Sequence, residues 1–232
     1  MSSRPKRKSL RPRRTIATKT QKLSGNIRYA FRYLLSLPEG YSAKRQKRWP
    51  LLFFFHGRGE RGDSLSTVEL HGPPKLIAQG QALPFVVVSP QCELKDYWWD
   101  YGALDAFVAK IIRRYRVDPD RVYLTGLSMG GFATWTLAQQ APERYAAIVP
   151  VCGGGDVRFA IRLRDLPVWA FHGADDATIP ARRTTEMIEG INAAGGSPRA
   201  TIYPGVGHDS WTKTYENPAV YEWLLSHRRK HS

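Results

Sequence analysis

Apolar positions along this chain fall into two periods that take turns. Short unbroken runs, among them Leu51-Leu52-Phe53-Phe54-Phe55, Phe85-Val86-Val87-Val88, Val122-Tyr123-Leu124-Thr125 and Val168-Trp169-Ala170-Phe171, have the length of strands buried on both faces. Between such runs, Leu104, Phe107, Val108, Ile111, Ile112 and Tyr115, and later Thr184, Met187, Ile188 and Ile191, recur at helical spacing. The stretch Ile27 to Leu34 alternates instead, which predicts an antiparallel edge strand. Alternation of strand and helix predicts an α/β domain, a mostly parallel sheet with helices on both faces. It covers residues 25–227, with basic tails at 1–24 and 228–232.

Charge changes that picture little. The 232 residues carry a formal net charge of +15, yet residues 1–22, 44–48 and 228–230 contain 16 of the 35 Lys and Arg and no acid. The remaining 19 basic residues face all 20 acidic ones, so the body is nearly neutral. The N-terminal segment through Arg14 has too little apolar content to offset ordering entropy and is expected as a disordered tail, suited to a weak, salt-sensitive polyanion contact, with electrostatic nucleic-acid binding as the non-enzymatic alternative. No apolar run approaches the roughly 18 residues of a membrane span. Arg13-Arg14 precedes no apolar signal core, and the expected location is the cytoplasm, although an Arg-rich, acid-free start also has the composition of a transit sequence.

Candidate chemistry begins at Gly126-Leu127-Ser128-Met129-Gly130, which follows a predicted strand and opens a helical stretch. This is the G-x-S-x-G elbow in the setting its mechanics require, so Ser128 reads as a nucleophile. A serine hydroxyl needs a base, and the base needs an orienting acid. Both are available downstream in the order Ser, Asp, His: Asp175-Asp176 follows His172-Gly173-Ala174, and His208 follows Gly205-Val206-Gly207. One oxyanion donor should be the amide of Met129 and the other an amide of the loop that begins His56-Gly57-Arg58.

Taken with Phe55 to Asp63, Ser89-Pro90-Gln91-Cys92, Asp118-Pro119-Asp120-Arg121, Cys152-Gly153-Gly154-Gly155 and Asp209-Ser210-Trp211, these motifs make residues 28–226 resemble the α/β-hydrolase superfamily. Within it the chain is similar to a small, lid-poor group of carboxylesterases, predicted peptidases and dienelactone-hydrolase-like enzymes. The resemblance implies Ser128 as nucleophile, Asp176 rather than Asp175 as acid, His208 as base and the Arg58 amide as second oxyanion donor. It implies hydrolysis of carboxylic esters with small or aromatic acyl groups, free or exposed on a polymer, without a cofactor. A prolyl-oligopeptidase-type peptidase and a thioesterase use the same residues and stay open; a non-catalytic module on this fold would be expected to lack a triad member.

Other features are weaker signals. Only 15 residues, Cys152 to Leu166, separate the strands between which related lipases insert a cap, so an open site is expected. Tyr97-Trp98-Trp99-Asp100-Tyr101 suits either core packing or an aromatic platform for substrate, with Trp98 and Trp99 as candidate contacts and Trp211 bordering the same pocket. His56 and His172 read as turn-stabilising, and His71 as a loop residue. No His, Cys or carboxylate pair has metal-ligand spacing. Cys92 and Cys152 follow strands expected about three positions apart, roughly 14 Å, too far for a disulfide.

Overall fold

A computed structural model describes residues 14–22 and 28–229, with side chains from Phe31 onward. The strands are β1 (Arg14–Lys22), β2 (Arg28–Ser36), β3 (Trp49–Phe55), β4 (Val86–Gln91), β5 (Val117–Leu127), β6 (Ala147–Val151), β7 (Trp169–Gly173) and β8 (Arg199–Tyr203). They form one sheet in the order β1-β2-β4-β3-β5-β6-β7-β8. β3 through β8 are parallel, whereas β2 runs antiparallel to both β1 and β4.

The helices are α1 (Gly72–Ala78), α2 (Tyr101–Arg114), α3 (Met129–Gln140), α4 (Arg182–Ala193), α5 (Trp211–Tyr215) and α6 (Pro218–Leu225). Alternation along β3 decides which of them each residue meets. Leu51, Phe53 and Phe55 enter a core with Leu104 of α2, Trp135 of α3 and Met187 of α4. Leu52 and Phe54 face the other way, toward Ile77 of α1, Tyr215 of α5 and Leu224 of α6. All five are fully buried, and each phenylalanine so placed contributes roughly 1.5–3 kcal/mol of hydrophobic stabilisation. The loops after β3, β5, β7 and β8 therefore meet at the carboxyl end of the parallel sheet.

Helix ends follow local chemistry. Asp100 caps α2 by accepting the Ala103 amide at 2.9 Å, and Asn217 caps α6 from the residue before Pro218. The predicted helical faces of α2 and α4 are those that pack: Leu104, Val108 and Ile111 are buried, as are Thr184, Met187 and Ile191.

Two boundaries differ from expectation. Residues 14–22, expected within the disordered tail, form β1, and this makes β2 an interior rather than an edge strand. Thr15, Ile16, Thr18 and Thr20 supply the β-branched content that suits a strand. Residues 1–13, which hold the rest of the expected tail and its polyanion contact, lie outside the described residues. At the other end, Arg228 and Arg229 are not free: Arg228 pairs with Asp118 at 3.2 Å and Arg229 with Asp120 at 3.1 Å.

Cys92 and Cys152 are buried free thiols at the ends of β4 and β6, three positions apart in the sheet. Among the described residues, no helix is long and apolar enough to cross a membrane, and no three His, Cys, Asp or Glu side chains are grouped to hold a metal ion.

Backbone proximity after β5 gives a direct test. A Cβ on Gly130 would lie 1.9 Å from the Phe55 carbonyl oxygen, whereas one on Gly59 would meet nothing within 4 Å. Gly130→Ala should destabilise the fold by at least about 1–3 kcal/mol, the usual cost of overpacking, and Gly59→Ala by less than about 1 kcal/mol. Urea unfolding of both variants checks the contrast; equal effects would contradict the close approach.

Candidate active site

The turn between β5 and α3 carries Ser128 at φ 53° and ψ −115°, a left-handed backbone that a non-glycine residue adopts only when its surroundings impose it. Its amide donates to the Val151 carbonyl at 3.0 Å and its carbonyl accepts from Phe132 at 3.1 Å. The flanking glycines permit the fit, since a Cβ on Gly126 would lie 2.4 Å from the Gly130 carbonyl oxygen. Strand and helix thus close on each other with the serine hydroxyl at the apex.

The acid and base arrive from the next strand ends. A Cβ on Gly173, the last residue of β7, would come within 2.1 Å of the Gly207 carbonyl oxygen, so a bare backbone there lets the loop after β8 press against the loop after β7. The Asp175 amide donates to the Val206 carbonyl at 2.9 Å and ties the two loops together. His208 then places Nε2 3.0 Å from Ser128 Oγ and Nδ1 2.7 Å from Asp176 Oδ2. Asp175, the alternative acid, is exposed and contributes its backbone to the loop contact.

Asp176 is held on both sides. Oδ1 accepts the Thr178 and Ile179 amides, each at 2.9 Å, and Oδ2 also lies 3.2 Å from His172 Nε2. Burial works against its ionisation, but the hydrogen bonds from His208, Ile179 and Thr178 outweigh it and hold the carboxyl below the usual carboxylate range. His172 Nε2 faces two acceptors, this carboxylate and the Ile179 carbonyl, so its proton sits there, and Nδ1 accepts from the Thr184 hydroxyl at 2.8 Å. Burial pushes this histidine below its ordinary range, in keeping with a neutral ring.

The loop after β3 is fixed with similar care. The Cys92 amide donates to His56 Nε2 at 3.0 Å, which leaves Nδ1 as the protonated nitrogen, and Nδ1–H donates to the Gly57 carbonyl at 2.6 Å. Gly57 in turn donates its amide to Glu60 Oε2 at 2.9 Å. Because a trans peptide points N–H opposite to C=O, the Arg58 amide is turned away from His56. The loop lies beside the serine turn: a Cβ on Gly57 would sit 2.7 Å from Leu127 Cδ1. Met129, whose amide is the other expected donor, is buried at the first position of α3. The Arg58 side chain itself is exposed, over the Tyr97 ring at 4.9 Å.

Of the three tryptophans expected to touch substrate, Trp99 is a correction. It is 3% exposed, packed 4.8 Å from the His56 ring and 5.9 Å from Phe55, and so belongs to the core under the loop after β3. Trp98 is half-buried, stacked on exposed Tyr97 and edge-on to Phe132 at 5.6 Å. Its indole N–H donates to the Tyr101 hydroxyl at 2.5 Å. Trp211 is half-buried on the other flank, perpendicular to His208 at 5.2 Å. Sequence reasoning missed Phe132, which shares the helical face of Ser128 one turn on, and Arg183, whose guanidinium lies 5.9 Å from the Phe132 ring. Spacing of four residues from the nucleophile was a usable signal for the first; Arg183 left none.

The connection between β6 and β7 holds a short 3-10 helix, Val157–Leu163, in place of a cap. A recess of about 800 Å³ lies at the opposite end of the sheet, lined by Pro142, Tyr145, Pro167 and Arg229 among others, and contains none of these residues.

A serine on a strand-to-helix elbow, with an imidazole and a carboxylate delivered from the next strand ends of a mostly parallel sheet, defines the α/β-hydrolase class. The chain belongs to the dienelactone hydrolase family, whose model matches residues 100–222. It is similar to an endo-1,4-beta-xylanase/feruloyl esterase of Xylanibacter ruminicola, 27% identical over 79% of this chain and 28% of that protein. A probable feruloyl esterase C of Aspergillus niger is 25% identical over 86% of this chain and 73% of that one. The crystal structure of a thermostable esterase superposes with a TM-score of 0.77 at 30% identity, over 92% of this chain and 63% of that one. This chain thus spans well under a third of the bifunctional relative and less than two thirds of the esterase.

The loop after β3 carries a pH signature. Burial pushes His56 down to about 4. An unfolded histidine titrates near about 6.5, so between these values the unfolded chain binds more protons. Stability from His56 is therefore present above about pH 6.5 and is lost as pH falls toward about 4, by up to about 3 kcal/mol. Urea unfolding at about pH 7 and about pH 4.5 should show this loss in the wild type and a smaller one in His56→Asn; identical losses would contradict a neutral, buried His56.

Proposed function

We propose that this chain hydrolyses carboxylic esters through Ser128, His208 and Asp176. The observation that carries the reading is the continuous pair of contacts from Ser128 Oγ to His208 Nε2 and from His208 Nδ1 to Asp176 Oδ2. Ser128 Oγ attacks the ester carbonyl carbon while His208 Nε2 takes its proton. Negative charge gathers on the former carbonyl oxygen, where the Met129 and Arg58 amides act as donors. The tetrahedral species collapses, the C–O bond to the alcohol breaks, and His208 returns the proton to the departing oxygen. Water, deprotonated by the same imidazole, then attacks the acyl-enzyme and releases the acid and Ser128. Asp176 keeps the His208 proton on Nδ1 during attack and stabilises the imidazolium; its second oxygen, held by two amides, prevents the carboxylate from turning away.

Small or aromatic acids, free or linked to an exposed polymer, are the acyl groups of this reading. Two relatives named feruloyl esterases support it, together with an open site and the aromatic strip of Tyr97, Trp98 and Phe132. The reading requires no cofactor.

The reading is tested with p-nitrophenyl acetate, an aromatic-acid p-nitrophenyl ester and a peptide anilide. Ser128→Ala should lower ester kcat/KM by at least about 10⁴-fold, and Asp176→Asn by about 10⁴-fold. Arg58→Pro, which deletes an amide, should cost about 10²–10³-fold, whereas Arg58→Ala should cost no more than a few-fold. Trp98→Ala should raise KM for the aromatic ester more than for the acetate. Comparable Ser128-dependent anilide cleavage would move the assignment to a peptidase; turnover of none of the three would overturn the esterase reading.

A further inference from the structure

Two flanks of the site are joined by a run of contacts that the mechanism above does not use. On one flank, Trp211 stands perpendicular to the His208 ring, 5.2 Å between centroids. Its indole N–H donates to His71 Nδ1 at 3.3 Å, and the two rings also meet edge-on at 5.4 Å. The other nitrogen, His71 Nε2, faces Glu60 Oε1 at 3.6 Å. Glu60 Oε2 accepts the Gly57 amide at 2.9 Å, and Gly57 forms the peptide whose N–H belongs to Arg58. The base and the oxyanion loop, 150 residues apart in the chain, are thus connected through Trp211, His71 and Glu60.

The position of His71 is fixed independently of those contacts. It caps α1 with extended backbone, φ −139° and ψ 164°, and two prolines, Pro73 and Pro74, follow in the first turn. Gly72, between His71 and those prolines, has φ +64° and lies so near Phe54 that a Cβ would come within 2.4 Å of that ring. A rigid turn therefore presents the imidazole between Trp211 and Glu60. An indole nitrogen can only donate, so Nδ1 must be the acceptor and the proton of a neutral His71 sits on Nε2, toward the carboxylate.

We infer that His71 is a positioning residue for ester hydrolysis, coupling the orientation of His208 to that of the loop after β3 through Trp211 and Glu60. The charged groups facing His71 are Glu60 from the loop after β3, Lys75 one turn along α1 and Glu216 after α5, which itself lies 4.0 Å from Lys75. The inference rests on His208 being the catalytic base, and the measurements below separate the two.

The first measurement is independent of turnover. In ¹H–¹⁵N spectra the Trp211 indole signal, assigned by its disappearance in Trp211→Phe, should shift in His71→Leu, which removes the acceptor, and return toward the wild-type position in His71→Gln, whose side-chain oxygen accepts in its place. The second is kcat and KM on p-nitrophenyl acetate. His71→Leu should lower kcat by about 10–100-fold, the usual cost of a small misplacement of a reacting group, with KM changed less than kcat, and His71→Gln should recover most of the loss. An indole signal in the same place in wild type and His71→Leu, or a kcat that His71→Leu leaves unchanged or that His71→Gln does not recover, would overturn the inference. If His71→Leu does not fold, Glu60→Gln carries the kinetic comparison. Absence of Ser128-dependent turnover would strike the esterase reading alone, because the indole shift would still decide the His71 contact.

Discussion

Contact between two backbones holds this site together: the turn after β5 lies against the carboxyl end of β3, with no side chain on Gly130 to separate it from the Phe55 carbonyl. That approach forces the left-handed geometry at Ser128 and brings the loop beginning at His56 alongside the serine. A strained conformation of this kind costs of order 1–3 kcal/mol and persists only where its neighbours over-determine it. Here the neighbours are fully buried strands on both sides, β3 and β6, which make the turn a rigid feature rather than a mobile one.

Rigidity is extended outward by hydrogen bonds whose direction leaves little choice of proton position. His56 must accept from Cys92 and donate to Gly57, and His172 must donate to Asp176 and Ile179. Both rings are buried, both are kept neutral by that burial, and each fixes a group that the proposed mechanism needs, the peptide before the Arg58 amide and the carboxylate of Asp176. Catalysis by preorganised dipoles requires such second partners, because a donor that has to reorient during reaction loses much of its value. The exposed Arg58 side chain and Tyr97 ring meet each other at 4.9 Å and face solvent.

What the amino-acid sequence revealed follows how local the determining physics is. The elbow was legible because its glycines and serine act within five residues, and the buried runs were legible because a central parallel strand must be apolar on both faces. Asp176 and His208 were legible through short motifs at strand ends, and their proximity follows from the parallel neighbours β7 and β8. Trp98 and Trp99 were not separable, since adjacent residues point to opposite sides and nothing nearby says which side faces the core. The partnership of His71 with Trp211 joins positions 140 residues apart and left no local trace. Residues 14–22 were misread because basic composition masked their β-branched alternation.

The central claim is that Ser128 Oγ is the atom that becomes acylated, made nucleophilic by His208. Mass spectrometry after reaction with a p-nitrophenyl phosphonate ester tests it most directly, since that reagent phosphonylates an activated serine and stops there. The account predicts a single adduct, mapped to Ser128 in the peptide that contains it, and its loss in His208→Gln. An adduct on another residue, or one that forms equally fast without His208, would contradict it.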